Sequence, residues 1–352
     1  MDKDTRSVLL TLDYELYGNG SGDVFKHIII PTQKILHICQ NYNAKMTIFF
    51  EVVEYWKLKE EWEKGNKMGY EQDPIIAMEK QIQEAYLNGH DIQLHLHPQW
   101  IDAKWLNGEW IVNNEDWRLG GFRNNNYEAL YNLIKKGKET IESIIWTVDS
   151  NYNCSILRAG GYNIQPSDGI VKAMKALGMK ADCSIVSGAI EQGSLSQYDF
   201  SAVPIDLGYW ECGEELEEIG HNGIIEIPIV TFPIQRWKKY LSWEKILSIK
   251  QNKKSAINTF NAKTQGKQSK KGFLSKISFF FQKEYQTWDF CLFSNSLHKH
   301  YLKEISQQSQ RNVFAIVGHP KSFINGKGLS FLLENFQDRF RCISITEFLY
   351  SL

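Results

Sequence analysis

The sequence contains no Cys-x-x-Cys pair, and its six cysteines (39, 154, 183, 212, 291 and 342) are too scattered for a disulfide frame or a zinc knuckle. They read as reduced, buried thiols. No window approaches the roughly 18 consecutive apolar residues of a membrane helix; the run Ser278-Phe279-Phe280-Phe281 is far too short. Neither sign of charge is in excess. A formal net charge of -1 gives no electrostatic case for nucleic acid or an acidic membrane surface. A neutral polymer or a small molecule is the less constrained partner. The opening residues Met1 to Arg6 lead straight into an apolar stretch at Val8–Leu12, leaving no room for a secretory leader. This leads us to expect a cytoplasmic protein. No internal repeat is visible.

What is present is a core-forming composition: 43% hydrophobic and 13% aromatic residues in a chain of 352. Short apolar runs alternate with helical stretches, the pattern of βα units around a mainly parallel sheet. Strands are expected at Val8–Asp13, Lys45–Val52, His90–His97, Ser155–Ala159, Ala181–Val186, Ile224–Val230, Phe290–Phe293, Asn312–Val317 and Arg341–Ile345. Pro31 opens one helix; Asp73 and Pro74 cap and open another that ends at Gly89. Further helices are expected over Tyr127–Ile144, Asp168–Leu177, Trp243–Ile249, Leu297–Ser306 and Leu329–Glu334. The fold class is therefore α/β, a barrel-like arrangement of seven or eight strands that is incompletely closed. A Lys-, Gln- and Ser-rich stretch at about 250–276 reads as an insertion within a single catalytic domain spanning 1–352.

The chemistry gathers at strand ends. Side chains alternate faces along a strand. In the stretch ending at Pro98, Ile92, Leu94 and Leu96 share one face, while Gln93, His95 and His97 share the other. Two imidazoles two residues apart on one strand face can reach a common ion, at the carboxyl end where barrel sites are built. Near the start, Thr11, Asp13 and Glu15 likewise share a face. A catalytic zinc takes three protein ligands and keeps one position for water. His95, His97 and one of the two carboxylates meet that need and leave the second carboxylate free as a base. Bound zinc lowers the pKa of its water to about 7.

His319, after the apolar run Val313–Val317, is placed to act as a general acid. The turn Arg158-Ala159-Gly160-Gly161-Tyr162 offers an arginine to hold Asp13 ionised, and glycine amides for a developing oxyanion. Trp100, Trp105, Trp110, Tyr209 and Trp210 either stack on a ligand or serve as core and loop anchors. His298 and His300 have the same His-x-His spacing, but on a helix positions i and i+2 do not face each other, so both are expected at the surface. His27, His37, His90 and His221 are given the same expectation.

The order of these motifs resembles the NodB-type polysaccharide deacetylases, carbohydrate esterase family four. The matched pieces are Thr11-Leu12-Asp13-Tyr14-Glu15, the stretch from Gly89 to Pro98, Arg158-Ala159-Gly160-Gly161-Tyr162 and Val317-Gly318-His319, spread over almost the whole chain. The resemblance is closest to the WalW-like branch linked to lipopolysaccharide biosynthesis. It implies a distorted, incomplete (β/α)7-type barrel, a divalent metal (usually zinc) and removal of N-acetyl groups from amino sugars. It also implies Asp13 as base, His95 as first metal histidine, His319 as acid and Arg158 as support for the base. Three positions depart from the family pattern. Tyr14 stands where a second acid is usual, Gln99 where the second metal histidine is usual, and Gly160-Gly161 replace the usual prolines and tyrosine. Glu15 and His97 are the chemically competent substitutes. A glycan-binding protein without hydrolytic activity, and a glycoside hydrolase on a related barrel, are the alternatives.

Overall fold

The computed structural model describes residues 6–235, 283–337 and 339–352. The expected helix at 243–249 and the stretch at 250–276 lie outside the described residues. Strand β1 (Ser7–Tyr14) is buried on both faces, as its run Ser-Val-Leu-Leu-Thr-Leu-Asp-Tyr requires of a central parallel strand. It pairs with β2 (Met46–Glu51), which pairs with β3 (Asp91–Leu96). Then come β4 (Ile156–Ala159), β5 (Ala181–Asp182) and β6 (Ile225–Glu226), all parallel. On the far side of β1 lies β7 (Val313–Gly318), in register from Ser7 opposite Val313 to Leu12 opposite Gly318.

The two ends of this sheet meet. Beyond β6, Ile229 bridges both Val186 and Ala315 of β7, and the Val230 N–H donates to the Ala315 carbonyl at 2.8 Å. Seven parallel strands thus curl into a barrel, closed on that side by single bridges rather than a continuous ladder. This is the α/β architecture expected from the alternation of strands and helices.

Helices cover the outside. In α1 (Ile30–Asn41) a proline occupies the first turn, and α3 (Pro74–Leu87) is capped by Asp73, whose carboxylate accepts from the amides of Ile75 and Ile76. Glu51 caps α2 (Val52–Glu63) in the same way. The amphipathic α4 (Tyr127–Ile145) packs closely on β3, because a Cβ at Gly137 would lie only 2.7 Å from the Leu94 side chain. The later helices are α5 (Asp168–Ala176), α6 (Asn295–Gln307), α7 (Lys327–Phe336) and α8 (Ile345–Leu349). Among the described residues no helix is long and apolar enough to cross a membrane.

Three expectations need correction. Phe290–Phe293 does not form a strand: Asp289 makes one parallel bridge to Val317, and the chain then turns. The Asp289 carboxylate takes the Cys291 amide at 2.8 Å, a local bond that competes with extension. His298 is not at the surface either. It is fully buried on the inner face of α6, where its Nδ1 accepts from the Trp288 indole at 3.0 Å. The spacing argument excluded a shared ion but did not decide which way the helix faces. His90 is also buried, with its Nδ1 accepting from the Met46 amide.

Candidate metal and acid–base site

The carboxyl ends of β1, β3, β4 and β7 converge, and they bring the residues singled out from sequence together. Strand register does most of this. Glu51 pairs with His95 across β2 and β3, and His95 pairs with Arg158 across β3 and β4. Asp13 lies within β1, and Glu15 lies just beyond it on the same face. Asp13, Glu15, His95, His97 and Arg158 are all buried; His319 retains 19% side-chain exposure and is the most open of the set.

Glu15, His95 and His97 form one cluster. The Oε2 atom of Glu15 lies 2.5 Å from His97 Nε2 and 3.5 Å from His95 Nε2. Both Nε2 atoms are buried and aim at that same carboxylate oxygen. His95 Nδ1 lies 3.0 Å from the Arg158 carbonyl, which can only accept. That contact puts the ring proton on Nδ1 and leaves Nε2 a bare lone pair. Beside His97 Nδ1, at 2.8 Å, lies the Gln99 side-chain amide, whose Oε1 is otherwise without a partner. Turning that amide end for end would let Oε1 accept from Nδ1–H and free the second Nε2 as well. Two lone pairs and a carboxylate oxygen pointing at one spot repel one another unless a cation lies between them. The donor set therefore fits a divalent ion, with two imidazoles and one carboxylate as in many zinc sites.

The ring of His97 reaches this cluster because position 160 is glycine. A Cβ there would lie 2.4 Å from the His97 ring. Gly160 thus makes room for His97. Gly161, with φ of 56°, continues the turn into the solvent-exposed rim.

Asp13 sits alongside. Its Oδ1 accepts from Arg158 at 2.5 Å, and its Oδ2 faces His319 Nε2 at 3.5 Å. Burial would raise the Asp13 carboxyl, but Arg158 and His319 overcome it and hold the group well below the usual carboxylate range. Arg158 has little freedom of its own. It donates to Thr11 Oγ1 and to the Cys183 carbonyl, with the guanidinium 4.1 Å from the Phe49 ring centroid. His319 donates from Nδ1 to Asp289 Oδ2 at 2.8 Å. Burial alone would lower its pKa, yet Asp13 and Asp289 push it up to about 10, so it carries a proton at neutral pH.

Several contributors were not singled out from sequence. Asp289 precedes the stretch expected as a strand, and only the bridge to Val317 reveals that it reaches His319. Lys321, two residues past His319, donates to Glu15 Oε1 and to the Leu16 carbonyl, both at 2.7 Å. Glu51 and Glu54 lie beneath Glu15. Burial, together with neighbouring carboxylates, raises Glu51 well above its usual range and Glu54 to about 8. The aromatic candidates divide. Trp100, Trp110 and Trp210 are buried, and Trp105 packs edge-on to Trp110, the arrangement of loop anchors.

No family model matches the chain, and no curated protein does. Solved structures show a weak likeness. A polysaccharide deacetylase candidate from Mycobacterium smegmatis is 11% identical, with a TM-score of 0.48 over 100% of this chain and 91% of that one. The Puue allantoinase is 10% identical, with a TM-score of 0.48 over 99% and 90%. The polysaccharide deacetylase Bc1974 from Bacillus cereus is 11% identical, with a TM-score of 0.39 over 96% and 91%. With TM-scores below 0.5, the functional case rests on the side chains themselves.

Proposed function

We propose that the chain is a metal-dependent hydrolase that removes an N- or O-acetyl group from a sugar in envelope-polysaccharide or glycan metabolism. The observation that carries this reading is the pair of buried imidazole Nε2 atoms converging with one oxygen of Glu15 on a single spot, beside Asp13 and His319. The motif order, which resembles the NodB-type deacetylases and their WalW-like branch, supports a sugar substrate.

Glu15, His95 and His97 would hold a divalent ion, zinc being the best match to two imidazoles and one carboxylate. Bound there, zinc supplies an acidified water and polarises the acyl carbonyl. The chain's own residues do the rest. Asp13, ionised and clamped by Arg158 through Oδ1, takes the attacking water's proton at Oδ2. The Gly161 amide is the candidate donor to the oxyanion. His319, steered by Asp289, delivers its Nε2 proton to the leaving nitrogen or oxygen as the acyl bond breaks. The products are acetate and a free amine or hydroxyl.

The arrangement does not suit glycoside hydrolysis. Asp13 is bonded to Arg158 and Glu15 to Lys321, which helps hold both carboxyls below their usual range, whereas a glycosidase needs one of its two carboxyl groups protonated. The test is zinc content of the purified protein together with acetate release from an acetylated amino-sugar oligomer. Stoichiometric zinc with acetate release is expected. A new reducing end would point to glycoside hydrolysis instead. Protein without metal, whose glycan binding is untouched by His95→Ala, would mean a binding protein with no hydrolytic activity.

A further inference from the structure

Lys321 has no part in the acid–base steps, yet its ammonium is one of the most firmly placed groups at the site. Two of its bonds are to elements of β1's end, Glu15 Oε1 and the Leu16 carbonyl, both at 2.7 Å, and its side chain is only 12% exposed. The Lys321 carbonyl in turn accepts from the Tyr17 hydroxyl at 3.2 Å, tying the turn after His319 to the loop after β1. Glu15 is therefore divided: Oε1 belongs to Lys321, and Oε2 alone faces His95 and His97.

We propose that Lys321 is a specificity-determining positioning residue that restricts Glu15 to a single oxygen toward the ion and so selects the kind of metal the cluster accepts. This rests on reading Glu15, His95 and His97 as an ion site. The physical reason is ligand count. Zinc is satisfied by few donors and favours imidazole. Manganese favours oxygen donors and a larger shell, which a carboxylate free to offer both oxygens helps to fill. A lysine holding Oε1 withholds that second oxygen. It also places a positive charge beside the ion, but that repulsion acts on every divalent ion alike and cancels when two ions are compared. The ratio of affinities is thus the quantity to measure.

The experiment compares wild type, Lys321→Met and Lys321→Arg. Zn2+ and Mn2+ affinities are measured by competition with a chromophoric chelator, and the visible absorption of the Co2+-loaded protein is recorded. In wild type, zinc is preferred and cobalt gives the intense bands of a low coordination number. Lys321→Met is expected to narrow the zinc-over-manganese ratio at least tenfold and to weaken the cobalt bands. Lys321→Arg, which can still donate to Oε1, is expected to stay within about threefold of wild type. Should Lys321→Met fail to fold, Lys321→Leu, which likewise has no donor for Oε1, is read in its place, with a shift in the same direction. An unchanged ratio and cobalt spectrum in the neutral variant overturns the inference while leaving the ion site standing. A wild-type protein that takes up none of the three ions overturns the ion site, and the inference with it.

Discussion

Two His-x-His pairs in this chain have the same spacing and opposite circumstances. His95 and His97 leave the end of a barrel strand with their rings 5.0 Å apart and a buried carboxylate between their Nε2 atoms. His298 and His300 lie on α6 and diverge: His298 is sealed in the core against Trp288, while His300 looks outward toward Glu304. In both pairs a buried Nε2 is left without a hydrogen bond. The difference is the company it keeps. His95 and His97 share their lone pairs with Glu15, whereas the surroundings of His298 are aromatic rings and the Gly328 backbone. An orphaned imidazole nitrogen becomes a candidate ligand only where other donors converge on it.

The sharpest way to break the comparison is to remove one ring from each pair. His95→Ala is expected to weaken zinc binding by at least about 100-fold, a loss of roughly 2.7 kcal/mol or more, and to abolish acetate release. His298→Ala should keep zinc stoichiometry while losing about 2–3 kcal/mol of stability in urea, since it leaves a cavity and an indole N–H without an acceptor. If both variants lose zinc equally, the distinction between the pairs is wrong.

Gly160→Ala probes the room made for His97. The added methyl would sit 2.4 Å from the ring, so His97 must swing away. Zinc affinity should drop about 10- to 100-fold, comparable to losing a support for a metal ligand, with thermal stability changed far less. Metal titration beside a melting curve measures both. A smaller effect is expected for Gln99→Leu, which removes the amide beside His97 Nδ1. Affinity should fall by about tenfold, and a wild-type isotherm would show that Gln99 does not hold the ring.

The last prediction concerns stability against pH. Burial pushes His298 down to about 3, and burial together with Lys45 pushes His90 down to about 4. Both are neutral in the folded chain at pH values where the unfolded chain, with histidines near 6.5, takes up protons. Stability from these two residues is therefore complete above about pH 6.5 and declines as pH falls toward 4. Each contributes a slope of at most about 1.4 kcal/mol per pH unit. Urea midpoints of apo protein between pH 7 and 4.5 should show that decline, and His298→Gln should remove about half of it. A flat profile would mean that His298 is not held neutral.

Much of the site was legible because barrel strands obey a strict period of two. Asp13 and Glu15 on β1, and His95 and His97 at the end of β3, could be assigned to a common face without knowing any contact. His319, just past β7, and Arg158, near the end of β4, were placed by where the apolar runs stop. Asp289, Lys321 and Gln99 obeyed no such rule. Each lies in a turn or bridge beyond the regular elements, and each acquires its role from a residue distant in sequence or from a ring orientation: Asp289 from His319, Lys321 from Glu15, Gln99 from the way His97 turns. The strand expected at Phe290–Phe293 shows the same limit. Its composition favours extension, but the Asp289 carboxylate binds the local amides and makes a turn.

By itself the sequence determined the strand–helix alternation, the inward faces of β1 and β3, and the separation of the strand pair of histidines from the helical pair. These depend on periodicity, which is local. Only the tertiary structure decided which of these groups lie against one another. Closing the barrel brings residues 13, 15, 95, 97, 158, 289, 319 and 321 to one end, and there glycine at 160 admits the His97 ring while lysine at 321 claims one oxygen of Glu15. Those choices turn on distances between strands far apart in the chain, and no local pattern encodes them.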